Sequence, residues 1–385
     1  MPEIWKTAGF GLYVHWPFCA AKCPYCDFNS HSSTRIDQDR WKRAYLAEIK
    51  RLGAVTGDRI LGSVYFGGGT PSLMDVSHVE ALIDAATMTW STAGDMEVTL
   101  EANPTSAEAG RFEGYREAGV NRVSIGVQAL VDSDLKALGR THGAEDALTA
   151  VSTARRIFDR VSFDLIYGRQ RQALGNWEAE LERALALKPD HVSLYQLTIE
   201  PGTAFGERLA RGLLPGLPDE DLSADLFVAT QRLCDEAGLP AYEISNHARP
   251  NFESRHNLIY WRSGDYAGIG PGAHGRLTYE GRRYATATPL SPEKWLERVE
   301  SGLGGDSVLN PLTDRERDVE ALMMGLRLTE GMDLDRLCKG DDYIHNINIL
   351  TDKGLLSSNG GRVRTTRSGR RILDSVVAAL LDGPD

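Results

Sequence analysis

The stretch Leu12-Tyr13-Val14-His15-Trp16-Pro17-Phe18-Cys19-Ala20-Ala21-Lys22-Cys23-Pro24-Tyr25-Cys26 decides how the rest of the chain is read. An apolar run over 12–16 has strand character and leads into cysteines in C-x3-C-x2-C spacing. Three thiolates on one tight loop can hold three irons of a [4Fe–4S] cube and leave the fourth iron open to a small molecule. A disulfide network would need an oxidising compartment and normally an even set of cysteines. The chain has five cysteines, and Cys234 and Cys338 stand apart in apolar helical patterns. Zinc would want a fourth Cys or His nearby, and His15 and His31 keep that reading open.

Outward from this loop, short apolar runs alternate with longer helical patterns. Strands are expected over 12–16, 63–66, 97–101, 122–127, 161–167 and 191–197. Helices are expected over 40–52, 78–90, 107–118, 146–158 and 177–187. A repeating βα order with continuous apolar strands predicts a parallel sheet covered by helices, an α/β fold. Six units are too few for a closed eightfold barrel, so a partial (β/α)6 barrel is expected. Active-site residues in such folds gather at the C-terminal strand ends. The cysteines follow the first strand, and Gly67-Gly68-Gly69-Thr70-Pro71 follows the second. Glu101 ends the third, Gln128 ends the fourth, Asp164 lies in the fifth, and Tyr195 and Gln196 lie near the end of the sixth. Glycines there would let a backbone approach a ligand closely, although a plain tight turn reads the same way.

The run Tyr13 to Phe28, with its cysteine spacing, resembles the radical S-adenosylmethionine (SAM) superfamily. Within it the chain is similar to the oxygen-independent coproporphyrinogen III oxidases and their relatives, the HemW heme chaperones. The resemblance implies a [4Fe–4S] cluster on Cys19, Cys23 and Cys26, with SAM on the open iron. It implies SAM contacts at Tyr13, Tyr25, Gly68, Gly69 and Thr70, and further ones at Glu101, Gln128, Arg140 and Asp164. Phe28 stands where the oxidases carry a fourth cysteine, which favours the HemW branch. His256-Asn257-Leu258-Ile259-Tyr260-Trp261 resembles the HNxxYW motif of that branch and makes His256 a candidate heme ligand, since histidine is a common axial ligand. A histidine that only satisfies hydrogen bonds under a loop is the competing reading. Two further departures are Arg169 and Arg171, where relatives show Leu-Pro, and His247, where an aromatic is usual.

The function implied by the resemblance is a heme chaperone that binds heme and passes it to apo-hemoproteins. The alternative is an oxidase that decarboxylates coproporphyrinogen III. SAM cleavage fits both, so the sequence leaves enzymatic activity open. Length and charge bound the partners. A chain of 385 residues and net charge −11 can bury a large core and is a poor binder of nucleic acid. The expected division is a barrel over 1–215, a barrel extension over 216–310, and a winged-helix-like α+β cap over 311–385. In the extension, the segment 266–275 reads as a compact glycine-dense loop, and His274 within it suits a ligand role and a structural role equally. In the cap, short strands flank Asn359-Gly360-Gly361 and a terminal helix follows. Its arginines invite DNA binding, but the acidic chain argues for a cap over the barrel or a partner contact. No export signal or membrane-length apolar run is visible. With reduced thiols this predicts the cytoplasm, with membrane contact only through a recipient.

Overall fold

The computed structural model describes residues 4–33 and 35–381. Six parallel strands follow one another as read: β1 (Phe10–Trp16), β2 (Ile60–Gly68), β3 (Ser91–Ala102), β4 (Arg122–Gln128), β5 (Arg160–Tyr167) and β6 (His191–Gln196). Their side chains are buried on both faces, which is why each reads as a continuous apolar run rather than an alternation. Helices α1 (Gln38–Thr56), α2 (Val76–Thr89), α3 (Phe112–Glu117), α4 (Ala144–Ile157) and α5 (Leu174–Leu185) cover the outside. The helix expected over 107–118 is broken at Gly110 and Arg111 into two pieces, Ser106–Ala109 and Phe112–Glu117. Glycine weakens a helix interior, and Pro104 shortens the run from the other side.

The segment expected as a compact loop at 266–275 instead contains a strand. After β7 (Asn246–Ala248), which pairs antiparallel with β6, and α6 (Arg255–Trp261), strand β8 (Asp265–Ile269) runs parallel to β1 on its free side. The antiparallel strands β9 (His274–Tyr279), β10 (Arg282–Ala287) and β11 (Val308–Pro311) extend the sheet, giving 11 strands in the order β11-β10-β9-β8-β1-β2-β3-β4-β5-β6-β7. The sheet is mixed α/β with a parallel centre, open rather than closed.

Leu226, Cys234, Ile269, Trp295 and Val299 belong to the same hydrophobic cluster as the barrel strands. Trp41 of α1 stacks on Trp295 with centroids 5.6 Å apart, and Trp16 and Trp41 each meet Phe18 at 5.2 Å. A second cluster begins at Ala321 and ends at Leu380. It is built on a three-stranded sheet in which Leu356–Asn359 pairs with Arg362–Thr365 through Gly360 and Gly361. Both turn glycines have positive φ, +58° and +80°, as a two-residue hairpin of this twist requires. Among the described residues no helix is long and apolar enough to cross a membrane.

Candidate functional site

The cysteine loop is pinched at its base, where Phe18 and Cys19 pair with His31 and Ser32. Pro24 seats it against Gly139, whose φ of +70° and missing Cβ leave room; a Cβ there would lie 2.5 Å from Pro24 Cδ. Asn29 holds the far end by donating from Nδ2 to the carbonyls of Pro271 and Leu290, each at 2.9 Å. Cys19, Cys23 and Cys26 are free thiols, and all three line one cavity of about 450 Å³ at the C-terminal strand ends.

A hydrogen-bonded chain joins two of the cysteines across this cavity. Thr70 Oγ1 donates to Cys19 Sγ at 3.4 Å and accepts from Asn103 Nδ2 at 3.2 Å. Asn103 Oδ1 accepts from Arg140 Nη2 at 2.5 Å, and Arg140 Nη1 donates to Cys23 Sγ at 3.3 Å. Burial pushes the Cys19 and Cys26 thiols up, while the Thr70 hydroxyl and the Ser30 hydroxyl work against that shift. Soft sulfur donors with hydroxyl and guanidinium groups aimed at them suit an iron–sulfur cluster. The histidines that kept zinc open are engaged elsewhere: His15 Nδ1 meets Tyr13 Oη and Nε2 meets the Asn29 carbonyl, both at 2.9 Å, while His31 Nε2 meets Asn29 Oδ1.

In the same cavity, Glu101 accepts from Tyr65 Oη at 2.8 Å and from the Gly68 amide at 3.2 Å. Burial, with Asp164 nearby, raises its carboxyl to about 7. Asp164 takes Ser124 Oγ at 3.4 Å and is raised by burial to about 6. Gln128 ends β4 with φ +68°, a left-handed conformation that a side chain adopts only when its surroundings impose it. Tyr25, Gly68, Gly69, Thr70 and Gln128 line the cavity, as do Glu101, Arg140 and Asp164. Carboxylates and a glycine backbone facing a sulfur loop can receive hydroxyls, an ammonium and a carboxylate of one ligand.

Two expected residues are placed elsewhere. Tyr13 does not line the cavity; its ring packs beside the stacked Tyr65–His256 pair, with centroids 6.2 Å from each, and its hydroxyl is turned to His15. His256 is 1% exposed, with Nδ1 on Ser63 Oγ at 2.7 Å and Nε2 on Tyr260 Oη at 2.5 Å. An axial ligand needs a free ring nitrogen and an open face, and here both nitrogens are bonded beneath stacked rings. Burial lowers His256 to about 3, so it is neutral. Asn103 escaped the sequence reading, although its position before Pro104 at a strand end was the available signal. Arg169 is a structural ion, 5% exposed and paired with Glu180 and with Asp134 at 3.0 Å. His247 is fully buried at the sheet edge.

The model described as the radical SAM superfamily matches residues 13–179, and that described as the HemN C-terminal domain matches residues 312–372. The Escherichia coli (strain K12) protein named heme chaperone HemW is 41% identical over 76% of this chain and 77% of its own length. This chain belongs to the HemW family of radical SAM proteins. A Bos taurus relative, named radical S-adenosyl methionine domain-containing protein 1, mitochondrial, is 39% identical over 96% of this chain and 87% of its own. A solved structure of E. coli coproporphyrinogen III oxidase matches with TM-score 0.80 over 96% of this chain and 89% of that one. At 20% identity that likeness shows the fold alone. The HemN C-terminal match opens at 312, close to where the second hydrophobic cluster begins.

Proposed function

We propose that this HemW-family protein is a heme chaperone, which binds heme and delivers it to apo-hemoproteins. The observation that carries the reading is the 41% identity to a protein named heme chaperone HemW, over three quarters of both chains. Phe28 supports it: the position that bears a fourth cysteine in the oxidases is here an aromatic ring, 57% exposed, at the cavity mouth. The radical SAM assignment implies a cluster and SAM. Cys19, Cys23 and Cys26 would hold the cluster. Gly68, Gly69 and Thr70 would offer backbone groups to the methionyl end of SAM, and Arg140 its guanidinium to the carboxylate. Glu101 and Asp164 would accept from the ribose and amino groups, with Tyr25 and Gln128 completing the walls. When bound, the cluster supplies an electron to SAM. The protein's own part is to orient SAM, keep the thiols hydrogen-bonded and shield the site from water.

The C-terminal unit, 311–385, would act as the cap that meets a recipient, beside a barrel over 1–215 and an extension over 216–310. The working location is the cytoplasm, with recipients supplying any membrane contact. Decarboxylation of coproporphyrinogen III has only the shared fold behind it. The test is anaerobic cluster reconstitution, then heme titration beside an assay with coproporphyrinogen III, SAM and reductant. Stoichiometric heme binding and transfer to an apo-hemoprotein, with no protoporphyrinogen IX formed, is the expected result. Turnover to protoporphyrinogen IX would overturn it.

A further inference from the structure

Heme iron in a chaperone needs a ligand that can be reached and released, and the histidines of this chain divide sharply on that point. There are nine. His15, His78, His142, His191, His247 and His256 are each 6% exposed or less. All six have at least one ring nitrogen bonded inside the protein. His31, His274 and His345 are exposed. His345 sits on the helix Ile344–Asp352 of the C-terminal unit, just after Asp341 and Asp342. His31 and His274 instead flank the cysteine loop.

Asn29 joins these two. It receives His31 Nε2 at 3.2 Å on Oδ1, and its Nδ2 donates to Pro271 O, in the turn that leads to His274. Gly272 in that turn is pressed on Asn29; a Cβ there would lie 2.5 Å from Nδ2, and its φ is +79°. Both histidines lie close enough to His15 to oppose its protonation. The His274 ring makes no hydrogen bond to the protein among the described residues.

The surface around His274 suits a flat apolar ligand. Residues paired across antiparallel strands point to one face. His274 pairs with Ala287, which pairs with Val308, itself 37% exposed; Arg276 pairs with Ala285 and with Tyr266. Tyr266 is registered with Gly11 of β1, and Gly268 with Tyr13, so this is the inner face of the barrel continued past its open side. The face carries an imidazole, Ala285 and Ala287, Val308, and at its outer edge the exposed amide of Asn310. Its guanidinium, Arg276, is held by Glu320 at 2.7 Å. Neutral imidazole is the ligating form, and partial burial beside Arg276 lowers the His274 pKa.

We propose that heme docks on this inner face beside the cysteine loop with His274 as an iron ligand and His31 at its edge, rather than on His256. The assignment rests on the heme-chaperone reading. The test is heme titration of the full chain by Soret absorbance, for wild type and for His274→Ala, His274→Gly, His31→Ala, His256→Phe and His345→Ala. Thermal unfolding verifies each fold. His274→Ala is expected to shift the Soret band and weaken binding about tenfold or more, and added imidazole should restore the band in His274→Gly. His256→Phe and His345→Ala should keep the wild-type spectrum. Wild-type spectrum and affinity in both His274→Ala and the double variant with His31→Ala, or loss of the band in His345→Ala, would overturn the ligand assignment. Failure of the wild type itself to bind heme would instead overturn the chaperone reading, and the assignment with it.

Discussion

Asn103 holds Arg140 on one side and Thr70 on the other, and through them it touches both Cys23 and Cys19. Truncation to Ala leaves part of a buried guanidinium without its acceptor, at a cost of about 1–3 kcal/mol. Urea unfolding of the apo-protein should show that loss, and the visible spectrum of the reconstituted cluster should change with it. Glu101 offers a test of sign. Its folded pKa, raised to about 7, lies above the ordinary carboxylate value of 4.5. Its stabilising share is therefore full below about 4.5 and is lost as pH rises through about 7. Glu101→Gln, always neutral, should gain melting temperature relative to wild type between pH 5 and pH 8, by calorimetry on apo-protein. The cysteines were legible in the sequence as one group because C-x3-C-x2-C spacing directly after a strand puts them on a single loop. Asn103 was not, because its role depends on Arg140 arriving from the loop before α4.

At the scale of elements, the glycine turn after β2 is set by two constraints at once. Gly68 has φ +108°, and a Cβ on it would lie 2.6 Å from the His15 ring. Gly68→Ala is expected to abolish measurable SAM binding to the reconstituted protein by isothermal titration, and to lower the melting temperature. The helix carrying His256 acts as a plug. Its ring stacks on Tyr65 at 4.9 Å and ties Ser63 of β2 to Tyr260 of α6. His256→Ala should cost about 2–4 kcal/mol in urea unfolding through a cavity and two broken hydrogen bonds, yet leave the Soret band in place. Strands β1 to β6 were legible because burial on both faces writes an unbroken apolar run. Strand β8 was not: Asp265-Tyr266-Ala267-Gly268-Ile269 is short and glycine-bearing, and its partner β1 lies far back in the chain. The depth of Tyr13 and His256 was not legible for a related reason, since position along a strand or helix does not say which layer of a barrel interior receives the ring.

Across the whole molecule, Glu243 is the joint between the sheet and the C-terminal unit. It is fully buried, accepts from the Ser245 amide at 2.8 Å and Asn246 Nδ2 at 2.7 Å, and meets Arg327 Nη2 at 3.1 Å. Arg370 Nη2 donates to its backbone carbonyl at 2.8 Å. Arg327 is part-exposed and can be resolvated, so removing the carboxylate costs about 1–3 kcal/mol, through the hydrogen bonds left unmade. Glu243→Ala should split a single calorimetric transition into two, the C-terminal unit melting first. The presence of that unit was legible in the sequence through its hairpin glycines. Its seat on the barrel was not, because Arg327 and Arg370 read as ordinary surface cations until Glu243 is placed between them.

The indole pair beside Phe18 makes the protein its own optical reporter. Trp41 and Trp16 both touch the residue that precedes Cys19 in the chain. A visible chromophore assembled on that loop absorbs in the band where indoles emit. Intrinsic fluorescence should therefore dim in proportion to cofactor loading, and recover on its release, with no label attached.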